Sequence, residues 1–180
     1  MIQRLPLCFA VAATILLACL PASAQASDVA AVRDAIASRN FLLGTWHCTF
    51  TVGTEGGEYT TTWSSILEGM GLKQTYDQPK QPRAGQFKAE YLIGYDAVLQ
   101  KWMRFGLMTT GQYFTIRMTD TGNGGWGWRY AGFFSGKQTG ATGYDARFTR
   151  KNDSLYTVDG PTYPSATGQM VTEHHVCRKE

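Results

Sequence analysis

Phe87-Lys88-Ala89-Glu90-Tyr91-Leu92-Ile93 alternates between two kinds of side chain over most of its length. Residues two apart on an extended chain share a face. Phe87, Ala89, Tyr91 and Ile93 therefore fall on one side, opposite Lys88 and Glu90. The segment from Tyr113 to Thr119 repeats the pattern, with Phe114, Ile116 and Met118 opposing Thr115 and Arg117. One face of the sheet they belong to is dry.

Working outward, turn signals recur about every ten residues, as short strands require. Strands are expected at Gly44 to Val52, Tyr59 to Leu67, Leu72 to Asp77, Gln86 to Tyr95, Lys101 to Met108, Tyr113 to Thr119, Gly125 to Phe134, Tyr144 to Arg150, Leu155 to Asp159 and Met170 to Arg178. Thr54-Glu55-Gly56-Gly57, Glu68-Gly69-Met70-Gly71, Thr119 to Gly125 and Lys151-Asn152-Asp153-Ser154 carry turn chemistry. The Pro-bearing stretches Gln78 to Gly85 and Gly160 to Gly168 read as longer loops. Between these strands no run is long enough for the crossover helices that parallel pairing needs. The expectation is an all-β protein, an antiparallel up-and-down β-barrel of about ten strands.

The two ends of the chain read differently. Arg4, the apolar run Leu5 to Leu20 and then Pro21-Ala22-Ser23-Ala24 form the order of a secretory signal peptide, with cleavage expected after Ala24. A competing reading takes Leu16-Leu17-Ala18-Cys19 as a lipoprotein box, in which Cys19 would carry a lipid anchor. The domain reading is thus residues 1–24 leader, 25–40 a segment with a short helix, and 41–180 the barrel. Ser27 or Asp28 can cap that helix, and Val29, Val32, Ala35 and Ile36 recur at helical spacing. Its expected role is to plug or cover one end of the barrel.

Composition excludes some classes. The 17 basic and 14 acidic residues nearly balance, and loss of Arg4 with the leader leaves an excess of two, so no basic patch argues for nucleic acid. No second long apolar run argues for a membrane span. Aromatic content of 13% with 20 glycines suits half-buried strands joined by tight turns. Of four cysteines, Cys8 and Cys19 leave with the leader, and Cys48 and Cys177 remain near the two ends of the folded chain. In an oxidising compartment such a pair reads as a disulfide.

Phe41-Leu42-Leu43-Gly44-Thr45-Trp46 resembles the opening of lipocalin-like (calycin) barrels, where Gly-x-Trp begins the first strand and the tryptophan lies across the barrel floor. Tyr91-Leu92-Ile93-Gly94-Tyr95-Asp96, followed by Lys101-Trp102, resembles the Gly-Tyr-Asp strand end of an exported bacterial calycin-like family of unknown function. More distantly the chain is similar to nitrobindin, a ten-stranded haem-binding barrel with a histidine on its last strand. That similarity implies haem as cofactor and a histidine of Glu173-His174-His175 as its axial ligand. Parity selects between the two. If Trp46 points inward, Cys48 shares its face, a bridge places Cys177 there, and steps of two lead back to His175 and Glu173. His174 and His47 should then face solvent.

Residues two apart on one strand lie about 7 Å apart on one face, so Glu173 and His175 can meet in a lumen. They read as an acid and base pair, as an iron ligand with its neighbour, or as polar groups wetted at a barrel mouth. Trp126 and Trp128 alternate with Tyr130 on one face, beside Trp63 and Trp102 of other strands. These rings either fill the interior or wall a pocket for a planar or apolar ligand. No assembled catalytic motif accompanies them. Trp63-Ser64-Ser65 and Pro164-Ser165 sit in no nucleophile elbow, and Gly122-Asn123-Gly124-Gly125 is a hairpin turn with no helix after it.

The reading is a periplasmic or secreted binding protein for a small apolar or aromatic molecule, with no other cofactor implied. Trp46, Trp63, Tyr91, Phe114, Ile116, Trp126, Trp128 and His175 are the expected ligand contacts. The alternatives are the haem protein, and a lumen enzyme using Glu173 and His175 with Arg104 or Tyr91.

Overall fold

Alternation becomes pairing along almost the whole chain. The computed structural model describes residues 22–80, 86–111, 113–129, 133–134, 137–138, 145–164 and 169–180. The expected leader up to Pro21, including Cys19 and its lipid-anchor reading, lies outside these residues, as do Tyr130, Tyr144 and Ser165. Helix α1 (Ala22–Ala37) and a 3-10 turn (Asn40–Leu42) lead into β1 (Gly44–Val52). There follow β2 (Glu55–Ile66), β3 (Gly71–Gln78), β4 (Phe87–Asp96), β5 (Lys101–Met108), β6 (Tyr113–Asp120) and β7 (Trp126–Arg129). β8 (Phe133–Phe134) and β9 (Lys137–Gln138) pair only with each other. β10 (Asp145–Asn152), β11 (Leu155–Pro164) and β12 (Met170–Lys179) complete the chain.

Ten strands close into a barrel in the order β1-β12-β11-β10-β7-β6-β5-β4-β3-β2. Each strand pairs antiparallel with its neighbours, so the barrel is an up-and-down meander. Closure removes the free sheet edges that an open meander would present to other chains. The seam lies between the first and last strands. There Cys48 stands opposite Cys177 and is bonded to it, closing a sequence separation of 129 residues.

The interior follows the parity read from sequence. Ala89, Tyr91 and Ile93 of β4 are buried and Lys88 and Glu90 exposed; Phe114, Ile116 and Met118 of β6 are buried between exposed neighbours. Each large apolar side chain so buried contributes roughly 1.5–3 kcal/mol relative to leaving it in water.

Several boundaries differ from expectation. β2 starts at Glu55, because Gly53 takes a positive φ of 59° and closes a two-residue hairpin that leaves Glu55 paired with Val52. Gly56 then pairs with Thr51, and a side chain there would lie 2.8 Å from the Phe50 carbonyl oxygen, so the Gly-Gly step serves close pairing rather than a turn. β11 runs on through Gly160 and Pro161 to Pro164, absorbing them in an irregularity between Asp159 and Thr162. Of the strand expected from Gly125 to Phe134, Trp126–Arg129 is a barrel strand, and Phe133–Phe134 pairs with Lys137–Gln138 instead of with a barrel strand. α1 begins before Ser27 and Asp28, which are therefore inside the helix and not its cap. It ends at Ala37 rather than Asn40.

Candidate functional site

α1 and the turn after it stand at the end of the barrel where β1, β5 and β7 begin. Ile36 and Leu42 are fully buried, Val32 and Ala35 rest on the core, and α1 touches β4. Trp46 is completely buried; its indole donates to the Leu42 carbonyl at 2.7 Å, and the Lys179 ammonium stands 5.4 Å from its ring. Arg39, itself buried, lies between Trp102 and Trp126, 4.9 and 5.1 Å from the ring centres, and pairs with Asp120. Cationic stacking on indole and the ion pair together make a guanidinium tolerable in this position. This end is a packed floor.

Beyond the floor the barrel holds a cavity of about 310 Å³. Trp63, Tyr91, Phe114, Trp126 and Trp128 border it, and so does His175. Two expected contacts do not. Trp46 belongs to the floor, and Ile116 is 1% exposed in the wall beside Arg104, its cross-strand neighbour. A small inward residue makes the shape of one wall. A β-carbon on Gly106 would lie 2.7 Å from both the Tyr91 and Phe114 rings, so only glycine lets them close over β5.

Two polar groups stand across this space. On one wall Arg104 of β5 lies 3.9 Å over the Tyr91 ring and donates through Nη2 to Gln74 Oε1 at 2.9 Å. Gln74 Nε2 donates to Thr61 Oγ1 at 3.0 Å, and Thr61 donates to the Thr75 carbonyl at 2.7 Å. The carbonyl of Thr75 only accepts, so the Thr61 proton is committed to it. Gln74 must therefore turn its amide nitrogen to Thr61 and its oxygen to Arg104. On β12, His175 lies between Tyr59, whose hydroxyl is 3.1 Å from Nδ1, and Glu173, whose Oε2 is 3.5 Å from Nε2. Burial holds the Tyr59 hydroxyl well above its ordinary pKa, with Tyr156 and Tyr76 adding to the shift. Tyr59 is then neutral and can either donate to Nδ1 or accept from it, while Nε2 faces the Glu173 carboxylate. Burial likewise raises Tyr76 and Tyr156; the Trp63 side chain and Arg104 act against it at Tyr156.

The parity argument places Glu173 and His175 on the inner face and leaves His174 and His47 exposed, His47 beside Glu180. Tyr59, Gln74, Tyr76 and Gln78, which also border the cavity, escaped the sequence reading. β3 explains why. Its inner residues Gln74, Tyr76 and Gln78 face polar Lys73, Thr75 and Asp77 on the outside, so alternation is silent there. Arg39 gave no signal either, as nothing local distinguishes a charged residue after a helix from a solvated one.

No protein-family model matches the chain, and no curated protein matches it. Among solved structures the chain is similar to a redesigned β-barrel, with a TM-score of 0.41 and 8% identity over 79% of this chain and 95% of that one.

Proposed function

We propose that the protein is an exported binding protein that holds a small apolar or aromatic molecule in its barrel lumen. The observation that carries this reading is the cavity of about 310 Å³ left among aromatic rings in a closed barrel. Small barrels are commonly filled by their own side chains. This one is filled at the floor and open beyond it. The volume falls at the low end of the roughly 300–1,000 Å³ typical of small-molecule sites, and a mostly aromatic wall with a few fixed polar groups is their usual composition. The leader pattern and the Cys48–Cys177 bridge support export to a periplasmic or extracellular compartment. The Gly44-Thr45-Trp46 opening supports calycin-like kinship.

Haem fits the lumen less well. Both nitrogens of His175 face other groups, Nδ1 the Tyr59 hydroxyl and Nε2 the Glu173 carboxylate, so neither is presented to an iron. Acid and base groups do meet at His175, whose two nitrogens are occupied by the Tyr59 hydroxyl and the Glu173 carboxylate.

Uptake of the neutral dye Nile red by the processed protein tests the proposal. Saturable dye emission with quenching of tryptophan fluorescence is expected, lost when Met108→Trp fills the lumen. Absence of saturable uptake, or uptake indifferent to Met108→Trp in a folded variant, would overturn it.

A further inference from the structure

The lumen contains a cation, Arg104, that forms no ion pair among the described residues. Arg104 is inward-facing on β5 and half-buried, and among the described residues no carboxylate forms an ion pair with it. Of the five N–H donors a guanidinium carries, one goes to Gln74, while Nε is buried with no partner among the described residues. Glu173, the carboxylate that borders the same cavity, stands on β12, five strands from β5 in either direction around the ring, and is engaged by His175. Arg39 at the floor also lies against two rings and also has a buried Nε without a partner among the described residues, but its charge is answered by Asp120.

Leaving a charge in a low-dielectric interior without an opposite charge is costly. Three side chains and a glycine nevertheless hold Arg104 in place. Tyr91 supports its flat face, Gly106 makes room for Tyr91, and the Thr61–Gln74 relay ties it to the β3 backbone. The buried side-chain polar atoms that lack a partner among the described residues are all nitrogen donors, Trp126 Nε1 and Trp128 Nε1 among them. A wall with surplus donors and a fixed cation calls for a ligand that accepts.

We infer that the lumen selects anionic ligands: an apolar or aromatic monocarboxylate whose head group is bound by the Arg104 guanidinium, with Gln74 as the positioning residue and the aromatic wall around its body. A planar guanidinium matches the two oxygens of a carboxylate, which an alcohol or hydrocarbon of the same length cannot reproduce. This rests on the lumen-binding reading and names its ligand class.

The experiment compares decanoate with decanol at neutral pH, each displacing Nile red from the processed protein, in wild type, Arg104→Met and Gln74→Leu. Decanoate is expected to bind at least tenfold more tightly than decanol in wild type. Arg104→Met should bring the two within about twofold, by weakening decanoate and leaving decanol unchanged, and Gln74→Leu should give an intermediate ratio. Equal affinities in wild type, or a decanoate preference that survives in folded Arg104→Met, would overturn the anion site while leaving lumen binding intact. Should Arg104→Met fail to fold, the wild-type ratio alone decides. If Nile red itself does not bind, it is the lumen reading that fails.

Discussion

The two ends of one barrel use the same residue types in opposite ways. At the floor, aromatic rings and a guanidinium are packed shut: Trp46 bonds to Leu42, Arg39 lies between Trp102 and Trp126, and Asp120 answers its charge. Toward the other end, rings and a guanidinium surround open space, with Arg104 on one wall and the Tyr59–His175–Glu173 group on another. The difference comes from the N-terminal segment. α1 and its following turn supply Ile36, Arg39 and Leu42 to one end, and no comparable element packs into the other among the described residues. A barrel of uniform strands thus acquires a packed half and an open half.

Truncating the floor should break that division most severely. Trp46→Ala removes a fully buried indole and its bond to Leu42, and a loss of about 3–5 kcal/mol is expected. Denaturant midpoints measure it; a loss under about 1 kcal/mol would mean that the floor does not carry the fold. Next in size comes the seam. Replacing both Cys48 and Cys177 with serine should lower stability by about 2–4 kcal/mol, since the bridge closes most of the chain in the unfolded state. Reduction of the wild type with a thiol should reproduce the drop, and a reduced protein as stable as the oxidised one would contradict it.

The smallest effect belongs to the open half and depends on pH. Tyr59, Tyr76 and Tyr156 have hydroxyl pKa values raised by burial. Above about pH 10 the unfolded chain releases phenol protons that the folded chain keeps, so folded stability is present below that pH and falls as pH rises. Near pH 11 the loss should be about 1 kcal/mol for each such tyrosine. Tyr156→Phe should therefore show a shallower alkaline decline than wild type when unfolding is compared at pH 8 and pH 11. Parallel declines would show that Tyr156 does not keep its proton.

Much of the fold was legible because alternation is a local signal. Phe87 to Ile93 and Phe114 to Met118 announce their inner faces within a few residues, and the closed antiparallel barrel follows from the number of such runs. The extent of β3 was legible but its inward face was not, because it is polar on both faces, and strand bounds were missed where glycine and proline enter a ladder, as at Gly56 and Pro161. The candidate site was legible in part for the same reason. Parity from Cys177 reaches His175 and Glu173 along one strand, whereas the partners of His175 and Arg104 come from β2 and β3.

What depends on neighbours in the chain was legible before any contact formed: most of the strands and turns, the inward face wherever apolar and polar residues alternate, and the two cysteines available to bridge. Only the tertiary structure decided what depends on register and closure. It set Cys48 opposite Cys177, aimed the Tyr59 hydroxyl at His175, gave Arg39 the carboxylate of Asp120 and left Arg104 with a glutamine amide. Contacts across a barrel join residues far apart in sequence, and a shift of one residue in pairing turns a side chain to the opposite face.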